Sequence, residues 1–228
     1  MTHARLALAV AITIGLGALA APAFAQQDID KVNGGITAEA GQRYGDLETV
    51  NGGIHLEDRA QLDGASTVNG GIEGGDDIRA HSLETVNGGI KLGKRVQVGS
   101  IETVNGSIFL DRGSRVADDI SNVNGGIGLV GTEVGGDVET VSGDITVGAD
   151  SHVKGSVRVE KPDHHGFSMG WGKQRPPRIV IGPNAVVDGP LVFEREVTLY
   201  VHSSARIGKV TGATAQPYST ATPPPPER

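Results

Sequence analysis

No cysteine occurs in the 228 residues, which excludes a disulfide framework, a zinc–thiolate site and a lipid-bearing cysteine. Aromatic residues are scarce at 4%, so the core cannot be built on large rings. Basic residues are the minority, 20 Lys and Arg against 27 Asp and Glu. That balance argues against nucleic acid or an anionic lipid surface as partner, since both need a cationic footprint. Beyond the N-terminal stretch no apolar run is long enough to span a bilayer, so no transmembrane segment is expected in the mature chain. Glycine is abundant at 35 residues but does not fall at every third position, which excludes collagen.

The first 25 residues read as a signal peptide. Arg5 precedes a mainly apolar stretch from Leu6 to Ala21, and Ala23-Phe24-Ala25 forms a small-x-small cleavage pattern. Cleavage would remove one Arg and no acid, leaving 19 cations against 27 acids and a net charge of −8. The expected location is outside the cytoplasm, in a periplasm or secreted to the cell surface.

What is present in quantity is a repeat. The phrase Val-Asn-Gly-Gly-Ile, once with Ser107 for its second Gly, places Asn at 33, 51, 69, 87, 105 and 124, and Val141-Ser142-Gly143-Asp144-Ile145 is a seventh copy. The intervals are 18 residues, apart from the 19 between Asn105 and Asn124. A period this short, with glycine at fixed corners, predicts an all-β fold: a single parallel β-helix or β-solenoid of about 18 residues per coil. Helical repeats are longer and tolerate few glycines. Alternation within Ile90-x-Leu92 and Val96-x-Val98 marks short strands.

The Ile column (Ile36 to Ile145), the Leu column that follows it, the column of Leu47, Leu83, Ile101, Ile120 and Val138, and the Val column (Val32, Val50, Val68, Val86, Val104, Val123, Val141) are all expected to face inward. Asn33, Asn51, Asn69, Asn87, Asn105 and Asn124 are expected to form a corner ladder of stacked amides. Gly52, Gly70, Gly88 and Gly125, which follow the corner Asn, are expected at positive φ.

The organisation expected is a signal peptide at 1–25, a solenoid at 26–211 and a Pro-rich disordered tail at 212–228. Within the solenoid, regular coils fill 31–159, an irregular loop 160–178, and closing coils 179–211. In the closing coils Ile179-Val180-Ile181 repeats as Leu199-Tyr200-Val201 at a spacing of 20.

The Val-Asn-Gly-Gly-Ile coils resemble a family of bacterial β-solenoid proteins described as adhesins, over about residues 31–159, with Val141 to Ile145 the nearest copy. The closing segment from Ile181 to Gly189 is similar to a coil of bactofilins, the polymer-forming bacterial cytoskeletal proteins, and to hexapeptide-repeat acyltransferase coils. The first resemblance implies an exported, non-enzymatic, adhesin-like scaffold that meets a cell-envelope or surface component. The second implies the alternative, a self-assembling structural polymer; a polysaccharide-active β-helix enzyme is a distant third.

Candidate chemistry is thin. Asp76-Asp77 and Asp118-Asp119 lack the nine-residue period of a calcium β-roll. Glu84 and Glu102 should sit on adjacent coils with Glu48 and Glu139 in the same phase, but no base column stands beside them. His55, His81, His152 and His202 fall at unrelated phases, so neither a catalytic set nor a metal or cofactor site is expected. Thr49, Thr67, Thr85, Thr103 and Thr140 form a column of the kind ice-binding solenoids expose. The candidate binding residues are His164, His165, Phe167 and Trp171, gathered where the chain escapes the repeat.

Overall fold

The computed structural model describes residues 27–162 and 175–225. Strands, turns and bends account for their regular structure, with no helix among them. The signal-peptide expectation falls outside the described residues, as do His164, His165, Phe167 and Trp171.

Each Val-Asn-Gly-Gly-Ile repeat closes one coil, and about ten turns stack into a parallel β-solenoid. One face is a ten-stranded sheet whose strands include Ile36–Ala38, Ile54–Leu56, Ile72–Gly74 and Ile90–Leu92. A fifteen-stranded sheet forms the other two faces. In the early coils one strand runs along both of them, as in Tyr44–Asn51, Gln61–Asn69, Arg79–Asn87 and Gln97–Asn105. From Arg115–Val116 and Ile120–Asn124 onward that strand is split by a corner.

The split explains the 19-residue interval. Val98 and Ile101 are three residues apart, whereas their partners Val116 and Ile120 are four apart. The inserted residue belongs to a tighter corner, whose amides are taken by side chains. Asp119 Oδ1 accepts from the Asp137 amide at 2.7 Å, and Asp137 Oδ1 from the Ser156 amide at 2.6 Å.

Registers are set by like residues stacking on like. Ile36 lies on Ile54, Ile54 on Ile72, Leu83 on Ile101 and Val138 on Val157. These aliphatic columns are almost fully buried and form one continuous core. A single coil could not bury its apolar residues, so neighbouring coils stabilise one another. Burial of each such side chain contributes about 1.5–3 kcal/mol. Two aromatic residues join this core, Tyr44 in the first full coil and Phe193 in a late one. Bulk is thus confined to the ends of a narrow interior.

The strands place two columns differently from expectation. Thr49, Thr67, Thr85 and Thr103 point inward and are at most 4% exposed. Their neighbours Val50, Val68, Val86 and Val104 point outward and are half-buried, and Val32 is 68% exposed. Period two decides this: with Leu83 inward, Thr85 must be inward and Val86 outward. Chemistry agrees. The Thr67, Thr85 and Thr103 hydroxyls donate to the carbonyls of Gly52, Gly70 and Gly88 at 2.8, 2.8 and 3.0 Å. The buried Thr column therefore satisfies corner carbonyls and cannot be an exposed ice-binding surface.

The corner glycines are corrected too. Of Gly52, Gly70, Gly88 and Gly125, only Gly125 has a positive φ, 128°. The others are glycine because stacked corners approach closely: a Cβ on Gly88 would run into the carbonyl of Gly70. Positive φ gathers at another corner, after the Ile-x-Leu strand, at Gly41, Arg59, Asp77, Arg95, Gly113, Gly131, Asp150 and Asn184. Their stacking bonds continue around that turn, with the Arg59 amide donating to Asp76 O and the Asp77 amide to Lys94 O.

From Arg178–Ile181 onward the stack continues in register, Ile145 on Ile179 and Ile179 on Leu199. It also extends beyond the expected end at 211. Ala215–Tyr218 adds a further strand on Thr198–His202, because Tyr218 is buried and its hydroxyl donates to Ile181 O. Tyr218 joins Val180 and Tyr200 in a second apolar cluster outside the main core, and Arg178 Nη2 holds Pro224 O at 2.6 Å. The segment read as a disordered tail from 212 thus contributes a rung and a strap.

Candidate interaction surface

Four features of the outer surface repeat coil by coil. The first is the Asn ladder, which forms as expected. Asn51, Asn69, Asn87, Asn105 and Asn124 each donate from Nδ2 to Oδ1 of the Asn one coil earlier, at 3.0–3.2 Å. All five bonds point the same way, so they polarise one another. The ladder stops where Ser142 takes the Asn position, and Arg195 Nη1 donates to Ser142 Oγ at 3.2 Å.

The second is the Val column just described. The third lies two residues before it, where Glu48, Ser66, Glu84, Glu102, Ser121 and Glu139 stack in one file. Glu84 and Glu102 are direct partners, as their spacing predicts. Burial, then the Glu84 charge, pushes the Glu102 carboxyl above the usual range. Burial and the surrounding Asp30, Asp46 and Glu84 do the same to Glu48, and burial with Glu160 and Asp137 raises Glu139. Glu139 has a cation, Arg158 at 3.2 Å, whereas no ion pair joins Glu48, Glu84 or Glu102 among the described residues. Ser66, Val68, Glu84, Val86 and Glu102 line a shallow depression between the two columns.

The fourth is the corner charge pairing. Asp77 pairs with Arg95 at 2.7 Å, and that hydrogen bond holds the Asp77 carboxyl below its ordinary value. Asp58 Oδ1 and Asp76 Oδ1 accept from the amides of Asp76 and Lys94, both at 2.8 Å. These carboxylates are committed to the stack. Among the described residues no three His, Asp or Glu side chains gather to hold a metal. The described histidines are dispersed: His152 pairs with Asp188 at 2.7 Å, and His202 meets the Tyr218 ring edge-on at 5.0 Å.

The segment that carries His164, His165, Phe167 and Trp171 leaves after Val157–Val159 and returns at Arg178–Ile181. Both feet are tied. The Glu160 amide donates to Thr140 O at 2.8 Å, and Arg175 pairs with Asp144 at 2.6 Å. Asp144 Oδ1 also accepts from the Arg178 amide at 2.8 Å. An open polar groove lined by Asn124, Ser142, Asp144, Arg175 and Pro177 lies at this base, next to the end of the Asn ladder.

No helix among the described residues is long and apolar enough to cross a membrane. No family model, curated protein or solved structure matches the chain.

Proposed function

We propose that the chain is an exported, non-enzymatic scaffold, adhesin-like in use, that meets a cell-envelope or surface component. The observation that carries this reading is how the repeat uses its side chains. Inward residues are consumed by stacking, and outward positions recur in fixed columns, Asn on Asn along one corner and Val on Val beside it, the arrangement of a rigid rod that displays a surface. Export rests on Arg5, the apolar stretch and Ala23-Phe24-Ala25. The anchored feet at Glu160 and Arg175 support presentation of His164, His165, Phe167 and Trp171 from a fixed corner. Deleting 163–174, which spares Arg175, tests this with cell-wall sacculi and outer-membrane vesicles as binding probes. Loss of binding at an unchanged melting temperature is expected; retained binding, or a large drop in melting temperature, overturns the role given to the segment.

The self-assembling reading draws support from the unbroken stacking of the closing coils. Two end residues oppose it. Lys31 occupies the inward register of the Thr column on the first rung, partnered with Thr49, and its ammonium reaches Gly35 O at 2.8 Å. Pro217 sits in the last rung opposite Val201 and has no N–H to offer a further strand. A charged residue on an edge rung and an edge proline are both devices that block edge-to-edge association.

A further inference from the structure

We infer that the outward valine column and the carboxylates beside it form a docking face for a cationic, amphipathic segment of another protein. The inference rests on the scaffold reading and names the partner class and the face.

The stripe runs from Val32 through Val50, Val68, Val86, Val104 and Val123 to Val141 on successive rungs. Rungs are ~4.8 Å apart, so seven valines make a straight apolar track of about 29 Å. Core packing does not explain it, because the aliphatic columns and the Thr column already fill the interior. Single exposed apolar residues need no explanation, but a continuous stripe with a polar rim marks an interaction site.

Charge chooses the occupant. Glu48, Glu84 and Glu102 border the stripe, Glu84 and Glu102 half-buried, and none of the three has an ion pair among the described residues. Several acids elsewhere on the solenoid do have cations: Asp76 and Asp77 share Arg95, Glu133 has Arg115 and Lys154, and Asp137 has Arg158. Glu84 and Glu102 lie on adjacent rungs and repel each other, a repulsion that one incoming Lys or Arg would relieve. A second copy of this chain would bring the same carboxylates, on a molecule already at −7, and is disfavoured. The fitting partner places apolar side chains on Val68 and Val86, with Lys or Arg set to one side over Glu84 and Glu102.

The test is fluorescence anisotropy with a labelled 14-residue peptide of alternating Leu and Lys, heptalysine as a charge-only probe, and an alternating Leu–Glu peptide as the opposite charge. The Leu–Lys peptide should bind at least tenfold more tightly than either, and more weakly as salt rises. Glu84→Gln with Glu102→Gln, and separately Val68→Ser with Val86→Ser, should each weaken it at least tenfold. The Gln pair removes repulsion and no packing, so it keeps the test decisive if the Ser pair fails to fold. Absence of Leu–Lys binding, equal binding of heptalysine, or unchanged binding by the Gln pair overturns the inference. Polysaccharide turnover by the protein would instead overturn the scaffold reading.

Discussion

Thr85 and Val86 are adjacent in one strand and have opposite surroundings, one 3% exposed and bonded to Gly70 O, the other on the outer surface. Two nearly isosteric exchanges separate the roles. Thr85→Val should cost about 1 kcal/mol, because it leaves a corner carbonyl without its donor. Val86→Thr should stay within about 0.5 kcal/mol, as surface changes do. Thermal melts of the two variants check this, and the opposite ranking would mean that the strand is turned over. Glu102 gives a pH prediction. Its folded carboxyl titrates above the unfolded value, so the folded state holds the proton more tightly. Its effect is therefore favourable in acid and is lost as pH rises through the folded value. Glu102→Gln should raise the melting temperature at pH 7, with the gain shrinking toward pH 4; a loss at pH 7 would show that the carboxylate has a cation partner in solution. The orientation of Thr85 was legible in principle from Leu83 two residues before it, but ranking residues by hydrophobicity favoured Val86. Hydrophobicity failed there because a hydroxyl was needed inside.

At the scale of the element, the two kinds of corner carry opposite requirements. The Asn-Gly corner stacks so closely that a Cβ on Gly88 would meet the Gly70 carbonyl, whereas the corner after the Ile-x-Leu strand bends through a left-handed residue from Gly41 to Asn184. Gly88→Ala should therefore destabilise by more than ~1 kcal/mol, where an ordinary Gly-to-Ala exchange stabilises, since two coils must separate. Arg59→Gly should stabilise by about 1 kcal/mol, because φ of 62° strains a residue with a Cβ and glycine relieves it. Denaturant midpoints of both variants check the pair, and stabilisation by Gly88→Ala would contradict the close-approach account. Asn-Gly announced its corner and its amide ladder in the sequence. The left-handed corner carried no single signal, because Arg59, Asp77, Arg95 and Gly113 share a backbone angle and no side-chain chemistry.

For the whole molecule, the 18-residue period was enough to specify a stacked parallel solenoid, since one register repeated gives every coil the same neighbours. The outward stripe was harder to read, because facing depends on a strand's phase and not on its composition. The ends are where repetition stops, and on the proposed reading they set whether copies associate. Lys31 places a charge in the inward register of the first rung, and Pro217 removes a donor from the last. The central claim, a discrete display rod and not a polymer, is tested most directly by sedimentation velocity across a hundredfold concentration range, for the protein without its first 25 residues and for the same protein carrying Lys31→Val and Pro217→Val. The account predicts a single monomeric boundary for the former and concentration-dependent association for the latter; filaments formed by the unaltered sequence would contradict it.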